Sequence, residues 1–479
     1  MRLDILSHLE LCNRKEWLWH YKEKTLSNLN SRKDESDNLY QLTKSKVEQI
    51  LTKNQNYLDK YKIIIAESEP IEFLAAFLAG IIVEANVFLG DPNWQYQEWK
   101  QVLNLVQPDI VLGKQEVKNI IAEVQNTNEK EAFIESNLNQ QGLIMIPTGG
   151  SSGKVKFAMH SWSTLKASVT GFQTYFGCQA INSFCTLPLY HVSGLMQFMR
   201  SFLTLGKLIT CSYQTTKTQQ IIFNQQDFFI SLIPTQLQIL IESKPEWLAQ
   251  FKTVLLGGAP ATRSLLDEAR KYQIPLAPTY GMTETASGVV ILKPSDFLQN
   301  NNSCGRVLPH AKVTIKPQNN QDTDSKFGLI SISCNSLCLG YYPLAFDRPN
   351  LFTTDDLGYF DNAGYLYLVG RNSQKIITGG ENVFPTEVEA TILATKLVQD
   401  VCVVGISDRI WGQAVTAVYV AKKPNFNLNL IKAKIKSQLA KYKQPKNWIE
   451  VDSLPRNNRG KINYQKVKAI AENKVRSKK

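Results

Sequence analysis

Histidine is scarce in this chain, and cysteine is unorganised. Five histidines and eight cysteines are scattered over 479 residues, with no CxxC pair, and Cys334 and Cys338 have no second pair nearby. That argues against the common zinc frameworks and reads as reduced thiols. No apolar run reaches the ~20 residues needed to span a bilayer, so no integral membrane segment is expected. The start, MRLDILSHLELCNRKEW, mixes acids, bases and apolar residues and lacks the pattern of a secretory signal. A cytoplasmic location is the expectation. Internal repeats and low-complexity linkers are also missing, as is any aromatic-rich nucleic-acid motif.

What is present is enough apolar content, 43%, for a large domain and a smaller one. The net charge of +12 is unevenly placed. Residues 421–479 hold 17 Lys and Arg against 3 Asp and Glu, which leaves the rest of the chain at −2. A basic end suits anionic small ligands, a membrane surface or nucleic acid. Without a nucleic-acid motif, small anions are favoured and no nucleic-acid partner is expected. Part of the charge also serves as an ordinary solvated lysine surface. Oligomeric state is left open, a homodimer included.

The first 60 residues read as polar and irregular, with NLNSRKDESDN as an exposed loop or helix flank. From Lys62 short apolar strands alternate with helices: KIIIAES, EFLAAFLAGIIVEA, NVFLGDP, then SFCTLPLY, KLITCSY, DFFISLIP and FKTVLLGG. This rhythm predicts parallel α/β layers. After Gly288 the text turns β-rich, with VVILKP, AKVTIKP, GLISISC and GYLYLVG. A boundary falls near Arg371, giving a large domain over 1–371 and a small α+β domain over 372–479. In the latter, PTEVEATILATKL opens a helix with Thr386 and Glu389 at capping-box spacing. The strands VCVVGI and AVTAVYVA and the helix LIKAKIKSQLAKYK complete it.

The stretch IPTGGSSGKVKF, Ile146 to Phe157, can curl its backbone around an anion. It is neither GxxxxGK[ST] nor GxGxxG, since Thr148 stands where both need glycine. The following KFAMHSW alternates like a strand. The loop therefore reads as a flexible hairpin carrying hydroxyls (Thr148, Ser151, Ser152) and cations (Lys154, Lys156) that can follow a triphosphate. A mobile surface turn explains the same glycines equally well.

The loop does not stand alone. PTGGSSGKVK resembles the phosphate loop of the adenylate-forming superfamily, which includes acyl-CoA synthetases, adenylation domains and luciferases. APTYGMTET (Ala277–Thr285), TTDDLGYFDNAGYLYLVGR (Thr353–Arg371), TGGENVFPTEVE (Thr378–Glu389) and LPRNNRGKINY (Leu454–Tyr464) resemble its later motifs, in order. The resemblance implies that family's fold: a large domain of α/β layers with a β-rich subdomain, and a small mobile α+β domain. It also implies ATP, Mg²⁺ and coenzyme A. In the phosphate loop it assigns Thr148, Gly149, Gly150, Ser151, Ser152, Gly153, Lys154 and Lys156 to ATP. It further assigns Thr283 to a phosphate oxygen, Glu284 to Mg²⁺, Asp356 and Arg371 to the ribose, and Tyr280 and Gly281 to the adenine side. Gly257, Gly258 and Ala259 wall that pocket, although a tight strand-to-helix turn accounts for them as well. Lys461 becomes the lysine that bridges substrate carboxylate and phosphate, and Gly379 and Gly380 line the CoA tunnel after the small domain rotates. Asp355 stands where glycine is usual and competes with Asp356, which is favoured because Leu-Gly follows it. Other departures are Ser373 and Gln374 at the hinge, and Val155 and Phe157 in the phosphate loop.

LPLYHVSGL (Leu187–Leu195) together with YGMTETAS resembles the o-succinylbenzoate–CoA ligases of menaquinone and phylloquinone synthesis. The resemblance makes His191 the gate of the acyl pocket. A substrate with two carboxylates needs one held while the other is activated, and Arg200, Ser193, Ser287 and Thr283 are the candidate holders. A surface helix cation is the plain alternative for Arg200. The alternative activities are another aryl- or acyl-CoA ligase, or a non-catalytic nucleotide-binding scaffold. A scaffold would be marked by loss of Glu284, Asp356 or Lys461, and all three are present.

Overall fold

The strand Lys62–Ala66 is apolar throughout because both faces of its sheet are covered. Ile63 and Ile65 enter one apolar cluster, while Ile64 and Ala66 enter another on the opposite face. The computed structural model describes residues 2–21, 32–52, 61–126, 142–149, 155–219, 221–317, 327–348, 350–422, 427–456 and 461–476. Among these, Lys62–Ala66 lies in a seven-stranded sheet, between Asn86–Leu89 and Ile110–Gly113. At its other end the hairpin of Ile144–Gly149 and Val155–His160 runs antiparallel.

A nine-stranded sheet holds Leu208–Cys211, Asn182–Cys185, Phe228–Leu232, Thr253–Leu256 and Leu276–Met282, all parallel to their neighbours in that order. The strand Ser287–Ile291 then turns back antiparallel. Between the two sheets lies the helix Pro70–Ile82, buried at 11 of its 13 positions. It shares one cluster with Ile63 and Val87 of one sheet and Leu18 and Leu208 of the other. A helix apolar all round is an interior layer.

The first 60 residues correct the sequence reading. Helices Arg2–Asn13 and Ser36–Thr52 form there, and the strand Leu18–Tyr21 pairs in parallel with Leu208–Cys211. The second helix buries only the stripe Leu39, Thr43, Val47 and Ile50, so its composition stays polar. Of NLNSRKDESDN, residues 28–31 lie outside the described residues; Arg32–Asp34 is an edge strand and the helix begins at Ser36.

Four antiparallel strands, Ala311–Lys316, Gly328–Cys334, Phe352–Phe360 and Leu366–Arg371, make the β-rich subdomain. Val313, Ile330, Ile332 and Leu366 from it pack with Tyr280, Val289 and Val290 of the nine-stranded sheet. That shared core brings the two motif-bearing strands together. After Arg371 a turn, Asn372–Gln374, leads into a separate five-stranded sheet. Helices Pro385–Ala394 and Leu428–Lys436 cover one face of it and Tyr464–Arg476 the other.

The helix Pro385–Ala394 has no capping box. Its N-cap is Phe384, with Pro385 in the first turn supplying the preset φ. Thr386 instead donates to the Val369 carbonyl, and the Glu389 carboxylate accepts from the Val403 amide. The next helix stops at Lys436, earlier than LIKAKIKSQLAKYK suggests, with Ser437 as its C-cap.

Candidate active site

The nucleotide residues expected from the sequence meet where the two sheets share their core. Tyr280 Oη donates to Asp356 Oδ2 at 3.0 Å, and Arg371 Nε donates to Asp356 Oδ1 at 3.1 Å. Asp356 and Arg371 are cross-strand partners, which fixes the pair. Burial, and then the Asp356 charge, raise the Tyr280 pKa well above the phenol range, so it stays a donor. The Tyr280 ring itself is 6% exposed. Asp355, one residue away on a strand, points elsewhere: it accepts from the Ser373 amide and hydroxyl in the turn after Arg371. Between the two aspartates, geometry selects Asp356 as the partner of Tyr280.

The turn Thr283–Thr285 carries the phosphate and metal candidates, and it is clamped. Its carbonyls and that of Ala286 each have a fixed donor. His160 Nε2 reaches Thr283 O at 2.8 Å, the Cys338 amide reaches Glu284 O at 2.7 Å, Ser336 Oγ reaches Thr285 O at 2.9 Å, and Ser168 Oγ reaches Ala286 O at 2.7 Å. The clamps hold Ala286 and Ser287 at φ of 50° and 98°, a left-handed backbone that L-residues resist. Gly281 is required here, because a Cβ would lie 2.1 Å from the Ser287 carbonyl. His160 is buried, with its pKa lowered to about 4 by desolvation, and is therefore neutral. Since a carbonyl only accepts, its proton sits on Nε2. His160 went unnoticed in the sequence; its mark is a histidine on the buried face of a strand.

The Glu284 carboxylate is buried and accepts from Tyr341 Oη at 2.6 Å. Lys156 lies over the Tyr341 ring at 5.3 Å, opposite Thr148 in the hairpin, so hairpin and turn are joined. One carboxylate beside this hairpin fits Mg²⁺, which takes few protein ligands and completes its shell with phosphates and water. Gly150, Ser151, Ser152, Gly153 and Lys154 lie outside the described residues, and Gly149 pairs with Val155 at the hairpin's end. Gly257, Gly258 and Ala259 follow the strand Thr253–Leu256, with Gly258 at φ 84°.

Arg200 is no surface cation. It is 5% exposed on the helix Val192–Leu203, and Nη2 donates to Ser287 Oγ at 3.0 Å. Its guanidinium lies 4.1 Å from the Phe172 ring centroid, and Nε has no partner among the described residues. Desolvation lowers its pKa to about 10, which still leaves it charged at neutral pH. His191 is the N-cap of that helix and packs edge-on against Tyr190. Ser193 is exposed, and its carbonyl takes the Gln197 amide. Thr283 is buried in its turn.

On the small domain, Gly379 and Gly380 form the turn between Ile376–Thr378 and Glu381–Val383. Lys461 is exposed next to the bridge pairing Arg456 with Ile462, while Arg456 forms an ion pair with Asp400.

This arrangement sets the Asp356 carboxylate against Tyr280 and Arg371, the Glu284 carboxylate against Tyr341, and the buried Arg200 against Ser287. The sequence matches the AMP-binding enzyme family over residues 53–342 and that family's C-terminal domain over residues 387–461. The 2-succinylbenzoate–CoA ligase of Enterococcus faecalis is 35% identical over 358 residues, covering 72% of this chain and 73% of that protein. That of Oceanobacillus iheyensis is 32% identical, covering 66% and 68%. Among solved structures, the o-succinylbenzoate CoA synthetase of Bacillus subtilis, in complex with its acyl-adenylate intermediate, superposes with a TM-score of 0.80 at 24% identity, over 96% of this chain and 97% of the other. The chain belongs to the AMP-binding enzyme family and has the fold of the adenylate-forming enzymes.

Proposed function

We propose that this chain is an ATP-dependent acid–CoA ligase that converts o-succinylbenzoate to its mono-CoA thioester. The carrying observation is Arg200, a buried cation tied to Ser287 at the end of the Thr283–Thr285 turn. A pocket for a fatty acid has no use for a buried guanidinium, which costs several kcal/mol unless an anion compensates it. A substrate with a second, ring-borne carboxylate supplies that anion. The curated relatives carry the same activity in their names.

In the first step a succinyl carboxylate oxygen bonds to the α-phosphorus of ATP, and the bond to pyrophosphate breaks. Both reactants are anionic, so positive charge at the contact lowers the barrier. Lys461 supplies it, together with Lys154 and Lys156 of the hairpin, whose Thr148, Gly149, Gly150, Ser151, Ser152 and Gly153 hold the phosphates. Glu284 is the metal-holding carboxylate, and Mg²⁺ bound there shields phosphate charge. Asp356 and Arg371 take the ribose, with Tyr280, Gly281 and Gly257–Ala259 around the adenine. In the second step the CoA sulfur bonds to the acyl carbon, the thiol proton leaves and AMP departs. The small domain, residues 372–479, turns between the steps, removing Lys461 and bringing Gly379 and Gly380 to the CoA path. His191 gates the acyl pocket. We place the enzyme in the cytoplasm; no helix among the described residues is long and apolar enough to cross a membrane.

The test is incubation with ATP, Mg²⁺, CoA and a panel of acids, read by mass. The mono-CoA thioester of o-succinylbenzoate is expected. Thioester from a fatty or simple aryl acid, with none from o-succinylbenzoate, overturns the reading.

A further inference from the structure

Beside Arg200 lies His310, just ahead of the strand Ala311–Lys316. Both of its ring nitrogens are buried and have no hydrogen-bond partner among the described residues, and the same holds for Arg200 Nε. Buried imidazoles usually satisfy at least one nitrogen, because an unmade hydrogen bond is costly. The ring is admitted by the helix Trp162–Phe176, where a Cβ on Gly171 would lie 1.8 Å from His310 Nδ1. The next residue, Phe172, supports the guanidinium. Helix, strand and loop thus bring two donor-bearing groups side by side and leave the guanidinium Nε and both imidazole nitrogens without a partner among the described residues.

We propose that His310 is a specificity-determining residue that acts with Arg200 on the ring carboxylate of the substrate, an imidazole N–H and the guanidinium Nε each donating to that anion. The inference rests on the dicarboxylate reading above and refines it. Arg200 alone cannot present its whole fork, since Nη2 is held by Ser287; the imidazole supplies a further donor.

Among the described residues, the groups around His310 are few. Gly171 faces it from the helix Trp162–Phe176, and Arg200 from Val192–Leu203. The Asn335 amide donates to its carbonyl, and Cys334 pairs with its neighbour Ala311. On its own strand, Lys312 is exposed. Burial, and then the charge of Arg200, lower its pKa to about 4. A bound carboxylate opposes both effects and raises it. Binding of the dicarboxylate is therefore coupled to proton uptake, and it strengthens as the pH falls from the bound-state pKa toward the free one.

The experiment measures KM and kcat for o-succinylbenzoate, and KM or Ki for 4-oxo-4-phenylbutanoate, which lacks the ring carboxylate. It uses the wild type, His310→Phe and His310→Gln between about pH 8 and 5.5, where the benzoate stays ionised. Expected for His310→Phe is a KM for o-succinylbenzoate raised about tenfold at unchanged kcat, with the value for the analogue within about twofold. His310→Gln is expected to keep part of the affinity but lose the dependence of log KM on pH. If His310→Phe fails to fold, as its melting curve would show, the pH slope of His310→Gln decides. An equal rise for both acids, or a wild-type slope retained in His310→Gln, overturns the assignment while the dicarboxylate reading stands. Wild type that makes no thioester from o-succinylbenzoate overturns both.

Discussion

Arg200 is buried without a countercharge among the described residues, and that sets two opposite expectations for one substitution. Arg200→Met keeps apolar packing on Phe172 and removes a desolvated cation. The melting temperature of the free protein should therefore hold or rise, as replacements of buried charge by apolar groups often allow. The KM for o-succinylbenzoate should rise tenfold or more, on the order of what losing one partner of a buried charge pair costs. Thermal melts and kinetics on the same sample check both, and a lower melting temperature with unchanged KM contradicts the role. Lys461→Ala is expected to slow pyrophosphate release about 10²-fold or more while ATP binding changes little. Release assayed against nucleotide titration separates the two. At this scale the sequence was uneven. The strings that hold Tyr280 and Asp356 were legible because they are local motifs, but that Tyr280 Oη bonds to Asp356 while Asp355 takes Ser373 was visible only in the fold. The burial of Arg200 and the presence of His160 were not legible, since both depend on what packs over a helix or strand from distant sequence.

The turn Thr283–Thr285 shows how one short element is held from several others. Its donors come from His160 and Ser168 on one side and Ser336 and Cys338 on the other. His160 makes this clamp sensitive to acid. Its folded pKa, about 4, lies below the ordinary histidine value of 6.5, so its contribution is complete above about pH 6.5. It is lost as the pH falls toward 4, at most about 3 kcal/mol for this shift. His160→Gln, which keeps a donor but does not titrate, should flatten that part of the stability curve in denaturant titrations at several pH values. An unchanged curve would contradict the neutral, buried histidine. Most strands and the helix Pro70–Ile82 could be read from apolar runs and period. The supposed capping box failed because Thr386 and Glu389 have tertiary partners, Val369 and Val403, that outcompete the local motif. The N-terminal helices were missed for a related reason: a narrow buried stripe leaves little trace in composition.

Across the whole molecule, charge is segregated as the fold is, with the positive excess in residues 421–479. On the proposed reading CoA brings several negative charges to that end, so its KM should rise several-fold between about 0.05 and 0.5 M salt, where screening shortens to a few ångströms. The KM for 4-oxo-4-phenylbutanoate, which has a single charge, should move less. Equal salt dependence for both would remove the electrostatic role of the small domain. Parallel α/β layers and a basic end could be read from rhythm and charge, but the division of those strands between two large sheets and the pairing of Leu18–Tyr21 with Leu208–Cys211 could not, the latter being a contact between residues about 190 apart.

The helix Pro70–Ile82 has a consequence for motion. It packs on Lys62–Ala66 and Asn86–Leu89 of one sheet and on Arg2–Asn13, Ser36–Thr52 and Phe198. It does so within an apolar cluster that reaches strands of both large sheets, like a keel fastened between two hulls, so relative sliding of the sheets would tear apolar contacts. Flexing has to be taken up elsewhere, and the chain after Arg371 offers only the brief turn Asn372–Gln374 before the next sheet begins. For the turning proposed of residues 372–479, a link this short, moored to Asp355 through Ser373, favours a few discrete poses over a continuum.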